Sequence, residues 1–219
     1  EDIFGLSLLL ITVVSCFNIG IIMKNRLWYS FFYITLVEVI LLSELLTIFT
    51  PTYNRSYVLK NLYNSLLNQN NSNFIWLIVD DGSTDDTQLL VKNWIKEGLI
   101  NIRYIYQLNQ GKHIAHNTGI SNCDTELFFC VDSDDYLLNN AVESVLEEYK
   151  NIKNLKNISG ILTVKINKLT NLPIGRTYVP NHIKYSSLGD LYEKYKFKGD
   201  TSLVFKTSIL KQYLFPKID

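Results

Sequence analysis

The sequence lacks an excess of charge of either sign, and it has little cysteine. Its 21 lysines and arginines balance 21 aspartates and glutamates, so no basic field indicates a nucleic-acid partner. The 3 cysteines, Cys16, Cys123 and Cys130, are an odd number without metal-type spacing, which argues against a disulfide framework. We therefore predict buried thiols in a reducing compartment.

Several motifs of nucleotide-binding proteins and hydrolases are also missing. No Gly-x-Gly-x-x-Gly follows the first predicted strand, and no Walker lysine motif occurs, which disfavours a dinucleotide fold and a P-loop. No Gly-x-Ser-x-Gly elbow is present, which disfavours an α/β-hydrolase nucleophile. The high content of Asn, Lys, Ile, Leu and Tyr is typical of an AT-rich bacterial genome.

Two long apolar runs come first in the chain. Residues 3–23 carry no charged side chain and are long enough to span a bilayer, whereas residues 27–42 are shorter and include Glu38. Lys24 and Arg26 between the runs favour a cytoplasmic position. We expect one span followed by an interfacial segment, with the rest of the chain at the cytoplasmic face of a bacterial membrane. A buried helical hairpin is the alternative.

From residue 44 onward, strand and helix patterns alternate. This alternation predicts an α/β domain with an open, mostly parallel sheet and helices on both faces. We therefore divide the chain into an N-terminal apolar segment, 1–43, and an α/β domain, 44–219. The predicted strands are 45–50, 74–79, 102–106 and 126–131, and weaker patterns predict strands at 158–166 and 201–205 and a helix at 188–195.

Right-handed crossovers place the loops after the first four strands at one edge of the sheet. These loops are 51–55, 80–87, 107–112 and 132–135. Pro51 is predicted to end the first strand, and Asn54 or Ser56 to cap the helix that follows. Ser83 and Asp86 are spaced as in a capping box for the next helix.

Three carboxylates lie in the fourth of these loops, at Asp132, Asp134 and Asp135. Asp132 and Asp134 are two residues apart, so on extended backbone their side chains face the same side. Two hard oxygen ligands suit Mg²⁺ or Mn²⁺, which take their remaining ligands from water and a substrate's phosphates. The loop therefore predicts a metal-diphosphate site, with a solvated acidic turn as the alternative.

The other loops carry side chains that suit a nucleotide. Asp80 and Asp81 precede a helix N-terminus, where a carboxylate can accept from a ribose hydroxyl or a base N–H. Tyr53 offers an aromatic ring to a base, and Lys112 with His113 offers a cation and an imidazole near a phosphate. Each of these residues also has a plain structural explanation, as a helix cap or a solvated side chain.

Taken together, the loops resemble the family 2 glycosyltransferases of the GT-A fold. The matching segments are Thr50-Pro51-Thr52-Tyr53-Asn54, Val79-Asp80-Asp81-Gly82-Ser83-Thr84-Asp85, Gly111-Lys112-His113 with Asn117, and Asp132-Ser133-Asp134-Asp135. The ordered set covers about residues 45–137 and is more specific than any single motif. It implies a GT-A (Rossmann-like) fold and transfer of a sugar, with inversion, from a nucleoside-diphosphate sugar to a hydroxyl acceptor. We expect the donor to be a UDP-sugar.

The resemblance also implies site residues and partners. Asp132 and Asp134 match the acid pair that holds Mn²⁺ or Mg²⁺ on the diphosphate, where the metal offsets charge on the leaving group. The acceptor is expected to be a saccharide or a lipid-linked saccharide in cell-surface polysaccharide synthesis, with the membrane as a partner of residues 1–43. Contacts to the nucleotide sugar are implied for Pro51, Thr52, Tyr53, Asn54, Asp80, Asp81, Gly82, Ser83, Lys112, His113, Asn117, Asp132 and Ser133.

A direct displacement also needs a base for the acceptor hydroxyl. In the family this base follows the metal pair, in the C-terminal half. Asp200 is the candidate here; the alternative is a base beyond Asp219, because the chain stops after an apolar segment as a truncated domain would.

The sequence is compatible with two other functions. A nucleotidyltransferase-like enzyme acting on sugar nucleotides is disfavoured because residues 51–55 lack the Gly/Arg/Lys-rich character of a triphosphate loop. A remnant that binds nucleotide without turnover is the other alternative.

Overall fold

The computed structural model describes residues 44–175 and 182–216. Both apolar runs, and with them the predicted membrane segment and Cys16, lie outside these residues. Within the described part of the chain, no helix has both the length and the apolar character needed to cross a bilayer.

Six strands form one sheet in the order β3-β2-β1-β4-β6-β5. β1 pairs in parallel with β2 and β4, and β2 pairs in parallel with β3. β6 runs antiparallel to both of its neighbours, β4 and β5. The predicted mixed α/β fold with a mostly parallel sheet is confirmed. The strands are β1 (Leu46–Thr52), β2 (Phe74–Asp80), β3 (Ile102–Tyr106), β4 (Leu127–Cys130), β5 (Gly160–Val164) and β6 (Thr201–Lys206).

Helices cover both faces of the sheet, so β1 and β2 are buried along their whole length. Successive residues of a strand point to opposite faces. Ile48 accordingly belongs to the core built with α1, α2 and α4, whereas Phe49 belongs to the core built with α3. The helices are α1 (Ser56–Leu67), α2 (Thr87–Glu97), α3 (Lys112–Ser121), α4 (Ala141–Ile152), α5 (Leu188–Glu193) and α6 (Thr207–Leu210).

β1 continues through Pro51, which the sequence predicted to end it. Phe49 directs its carbonyl toward β4, where it accepts a hydrogen bond from the N–H of Val131 at 2.9 Å. The backbone nitrogen two residues later faces the same side, but β4 pairs with β1 only as far as Cys130. The missing N–H of Pro51 therefore costs no ladder bond, and pairing with β2 extends to Thr52.

Both predicted helix caps are wrong. The residue before α1 is Arg55, and neither Asn54 nor Ser56 caps that helix. Asp86 precedes α2 without a side-chain cap bond, and Ser83 is too far back to form a capping box with it. The polar side chains of these loops form hydrogen bonds to neighbouring loops instead, so that a single side chain connects two segments of the chain.

Gly119 lets α3 lie close against β1. A Cβ at Gly119 would overlap the ring of Phe49, and that ring is held by Phe128, with ring centroids 5.0 Å apart. We expect Gly119→Ala to lower the free energy of unfolding by about 1–3 kcal/mol, the usual cost of overpacking a core. Urea denaturation followed by circular dichroism measures this change.

Gly189 in α5 provides the matched control. The nearest atom to a Cβ placed there is Ser187 Oγ, at 3.8 Å. Gly189→Ala should leave stability unchanged or raise it by up to about 1 kcal/mol, because alanine favours the helix. Equal stability of Gly119→Ala and the wild type would contradict the close packing of α3 on β1.

Candidate active site

The loops that follow β1 to β4 lie side by side at one edge of the sheet. We call them the first (residues 53–55), second (81–86), third (107–111) and fourth (131–140) loops. Hydrogen bonds join the first loop to the second and the second to the third, and ion pairs connect the fourth loop to α3 and to the first. The structure therefore brings together loops that are far apart in the sequence.

Asp81 joins the second loop to the third. Its side chain is only 4% exposed. Its carboxylate accepts hydrogen bonds from the N–H groups of Gln110 and Gly111 at 3.0 and 2.8 Å and from Gln107 Nε2 at 2.7 Å. A buried carboxylate is costly without such partners, so Asp81 holds the third loop in place. Its predicted contact with a nucleoside stays a prediction.

Asp80, the last residue of β2, shapes the second loop. It is fully buried, and it accepts hydrogen bonds from the N–H of Ser83 at 2.8 Å and from the hydroxyl of Tyr104 at 2.5 Å. Burial, and then the bond to Asp80, raises the pKa of Tyr104 far above its ordinary value, so this hydroxyl remains a donor. Gly82 completes the turn with a φ of 88°, and a Cβ there would lie 2.8 Å from the backbone nitrogen of Asn109.

Asn54 connects the first loop to the second. Its backbone is left-handed, with a φ of 52°, a conformation that asparagine tolerates better than most residues. Its N–H donates to Ser83 Oγ at 2.8 Å, and its side-chain oxygen accepts from the N–H of Thr84 at 2.8 Å. Asn54 and Ser83, both predicted to contact the nucleotide sugar, thus first hold each other.

Asp85 fixes the spacing between the starts of α1 and α2. One carboxylate oxygen accepts from the N–H and hydroxyl of Ser56 at 3.0 and 2.8 Å. The other accepts from the N–H and hydroxyl of Thr87 at 3.0 and 2.6 Å. Burial raises the pKa of this carboxyl, but the hydrogen bonds from Thr87 and Ser56 outweigh it and lower the pKa to about 2. The group is therefore ionised throughout the neutral range.

Two cations contact the acid pair of the fourth loop. Lys112 Nζ lies 2.6 Å from Asp132 Oδ1, and Arg55 Nη1 lies 3.5 Å from Asp134 Oδ2. All four side chains are 38–61% exposed, so each pair adds little to stability. The pairs matter for position, because they bring the first loop and α3 to the fourth loop.

The donors of the fourth loop suit a hard divalent cation. Asp132 and Asp134 flank the buried Ser133, and the N–H of Asp135 donates to the carbonyl of Asp132 at 3.0 Å, which closes a tight turn. Mg²⁺ and Mn²⁺ are commonly held by one or two carboxylates, with water and substrate phosphates as further ligands. Among the residues that the structure describes, no group of three or more His, Cys, Asp or Glu side chains is arranged around a common metal position. A cation here would thus need ligands from a diphosphate.

Asp200 reaches the fourth loop through Lys165. Lys165 Nζ lies 2.8 Å from Asp135 Oδ2 and 3.8 Å from Asp200 Oδ2. Burial lowers the pKa of Lys165, but the hydrogen bond and charge of Asp135, with help from Asp200 and Asp132, raise it above its ordinary value. One ammonium group therefore holds the candidate base, whose side chain is 51% exposed, next to the acidic turn.

Asn117 lies in α3 and binds the last described segment of the chain. Its Nδ2 donates to the carbonyl of Phe215 at 2.8 Å, and its Oδ1 accepts from the N–H of the same residue at 2.9 Å. The ring of His116 packs edge-on against Phe215 with centroids 5.3 Å apart. Because both atoms of the Asn117 amide are engaged in this clamp, the nucleotide contact implied for it stays a prediction.

The remaining predicted residues border the same loops. Tyr53 is 48% exposed, so its ring is accessible to a base. Pro51 and Thr52 are buried at the end of β1, and Thr52 Oγ1 has no hydrogen-bond partner among the described residues. Buried hydroxyls are rarely left without one, so a bound ligand or water would satisfy it. His113 lies in the first turn of α3, beside Gly111.

Sequence reasoning did not single out several residues of this site. Arg55 and Asp85 lie in predicted loops, so their position in the sequence could have indicated that they belong to the site. Tyr104 and Lys165 gave no local signal, because their partners Asp80 and Asp135 are brought to them by strand pairing.

The chain belongs to glycosyl transferase family 2, whose family model matches residues 47–214. It is 36% identical over 107 residues to a chondroitin synthase of Escherichia coli. The aligned region covers 48% of this chain and 15% of that protein. It is 30% identical over 172 residues to the GalNAc(5)-diNAcBac-PP-undecaprenol beta-1,3-glucosyltransferase of Campylobacter jejuni. Here the aligned region covers 78% of this chain and 54% of that protein. The chain thus spans only part of the length of these relatives.

Two solved structures share the fold. TarS 1–349 of S. aureus, in complex with UDP, has a TM-score of 0.58 at 20% identity and covers 78% of this chain and 50% of that one. The mannosyltransferase PcManGT of Pyrobaculum calidifontis, in complex with GDP-Man and Mn²⁺, has a TM-score of 0.57 at 17% identity, with 80% and 48% covered. These likenesses establish the GT-A type of fold for the described domain.

The bonds to Asp85 predict a pH-dependent contribution to stability. A pKa that falls from 3.8 to about 2 on folding corresponds to about 2 kcal/mol at most, and solvent screening reduces this to about 1 kcal/mol. A depressed carboxyl pKa stabilises the fold above the unfolded pKa, so this contribution is complete above about pH 4 and is lost toward pH 2. Asp85→Asn should therefore be less stable than the wild type at pH 7 but not at pH 2.

Urea unfolding at pH 7, 4 and 2 measures this difference. Asp86→Asn is the control, because Asp86 is the neighbouring acid and makes no side-chain cap bond. If the stability difference between Asp85→Asn and the wild type is the same at every pH, the result would argue against a stabilising role for the ionised carboxylate of Asp85.

Proposed function

We propose that this chain is the catalytic domain of an inverting glycosyltransferase. It moves a sugar from a UDP-sugar to a hydroxyl of a saccharide or lipid-linked saccharide. The proposal rests on one observation. The acid pair, Asp132 and Asp134, forms ion pairs with cations from α3 and from the first loop. Family membership supports the transfer chemistry, and the UDP and GDP-Man in the two structures of the same fold support the donor class.

Donor binding would involve the first and second loops as well as the acidic fourth loop. Tyr53 is accessible to stack on the base, and the second loop supplies polar backbone groups at the start of α2. Lys112 and Arg55 are placed to exchange their carboxylate partners for phosphate oxygens. Asp132 and Asp134 would hold Mn²⁺ or Mg²⁺, which supplies Lewis-acid stabilisation of the leaving diphosphate when bound.

Inversion follows from a single displacement at the anomeric carbon. The acceptor oxygen forms its bond to that carbon as the bond to the diphosphate breaks, and the acceptor proton passes to a carboxylate. Asp200 is the proposed base. Lys165 is proposed to position it, because its ammonium group contacts Asp200 and the acidic turn together.

The cellular setting is part of the proposal. The two apolar runs before residue 44 support work at the cytoplasmic face of a bacterial membrane, in the synthesis of cell-surface polysaccharide. The undecaprenol-linked substrate in the name of the C. jejuni relative supports a lipid-linked acceptor.

The metal-diphosphate site is tested by the affinity for UDP with and without Mn²⁺. Isothermal titration should show that Mn²⁺ tightens UDP binding, and that Asp134→Ala removes at least about ten-fold (about 1.4 kcal/mol) of this gain, because it deletes one of the two carboxylate ligands. Asp190→Ala, an exposed acid in α5, is the control. Undiminished Mn²⁺-dependent affinity in Asp134→Ala would count against the site.

Turnover tests the base. With a panel of UDP-sugars and saccharide acceptors, Asp200→Asn should bind UDP as the wild type does but transfer sugar about 10²-fold more slowly or worse, the usual effect of losing a general base. Asp190→Asn should transfer normally. Normal transfer by Asp200→Asn would place the base elsewhere, and a wild type that binds UDP without transferring to any acceptor would indicate a nucleotide-binding remnant.

A further inference from the structure

A groove of about 650 Å³ opens beside the fourth loop. It lies between α4, β5 and the hairpin formed by residues 165–174, and its volume is typical of small-molecule sites. Asp134, Asp135 and Lys165 are among the residues that line it. The groove therefore adjoins the candidate active site, and none of its lining residues belongs to the first, second or third loop.

The walls of the groove are mainly apolar and incompletely buried. Five large apolar side chains that line it are each 38–48% exposed. A cluster of exposed apolar side chains in a concave surface is typical of a binding site. These five side chains are Tyr136, Leu138, Val164, Ile166 and Ile174.

The chemistry of the walls selects the kind of ligand. Four of the five exposed side chains are aliphatic, and aliphatic walls suit a hydrocarbon chain better than a sugar ring, which needs polar partners. Positive charge is present at the groove as well. Lys168 lines it, with Nζ 5.1 Å from the ring centroid of Tyr136, and this cation suits a phosphate. An apolar channel with a cation, which leads to the acidic turn, matches an amphiphile with a phosphate.

We propose that this groove binds the hydrocarbon chain and phosphate of a lipid-linked acceptor, whose hydroxyl end then points toward Asp135 and Asp200. The role as acceptor rests on the proposed function. The groove's preference for a phosphorylated hydrocarbon chain rests on its own walls and is tested without turnover.

Alkyl phosphates of different chain length test this preference. Isothermal titration of the full chain with decyl phosphate, below the concentration at which it forms micelles, is compared with ethyl phosphate. Each methylene that leaves water improves affinity about four-fold (about 0.8 kcal/mol). Decyl phosphate should therefore bind at least about ten-fold more tightly, even if only part of the chain enters the groove.

Substitutions in the hairpin locate the binding. Ile166→Asp places a charge in the wall and should weaken decyl phosphate at least about five-fold; Ile174→Asp provides a second, independent wall variant. Leu169→Asp is the matched control, because Leu169 lies on the same hairpin, is 94% exposed and does not line the groove. The two apolar runs before residue 44 are identical in all variants, so their own affinity for alkyl chains cancels when variants are compared.

Each outcome decides the proposal. Weaker decyl phosphate binding in both wall variants, with Leu169→Asp unchanged and all variants folded by circular dichroism, supports it. No chain-length effect, unchanged decyl phosphate affinity in either wall variant, or an equal loss in Leu169→Asp overturns it. Mn²⁺-dependent UDP binding by the wild type separates the two proposals. Its absence would contradict the proposed function and leave the groove's chain-length preference standing.

Discussion

The buried carboxylate of Asp81 is the constraint on which this edge of the sheet depends. An unpaired carboxylate in that position would cost several kcal/mol, and its partners are two backbone N–H groups and the amide of Gln107, all from the third loop. The second and third loops therefore keep their relative position as long as the domain is folded. The four hydrogen bonds to Asp85 do the same for the starts of α1 and α2. The loop edge is thus organised before any ligand binds.

The acidic side chains of the fourth loop are held differently, by ion pairs. Each of its three acids contacts one cation, and these cations come from the first loop, from α3 and from the residue after β5. The pairs of Asp132 and Asp134 are exposed and therefore weak, so a ligand with its own charges can replace them at little cost, whereas Lys165 and Asp135 are only 26% and 36% exposed. Under the proposed function, the fixed second and third loops would hold the nucleotide, and the ion pairs of the acidic turn would give way to a metal-bound diphosphate. The acids and cations are Asp132 with Lys112, Asp134 with Arg55, and Asp135 with Lys165.

Local patterns were sufficient to predict the parallel half of the sheet and the edge at which its loops meet. Those patterns are buried apolar strands that end in polar residues, and they need no knowledge of distant contacts. The caps were wrong because Asn54, Ser56 and Ser83 form hydrogen bonds across loops, and such partners are set by tertiary structure. Lys165 was missed for the same reason: its contact with Asp135 exists only because β6 lies between β4 and β5. Elements that depend on local sequence patterns could be predicted, whereas contacts that depend on the order of the strands in the sheet could not.

The central claim is that one nucleotide and one cation occupy the edge formed by these four loops. Anomalous diffraction from a crystal of the chain grown with UDP and Mn²⁺ tests it most directly. The account predicts a manganese peak within about 2.3 Å of a carboxylate oxygen of Asp132 or Asp134, bridged by the diphosphate to a uridine that lies against Tyr53 and the second loop. Manganese or uridine bound away from this edge would contradict the account.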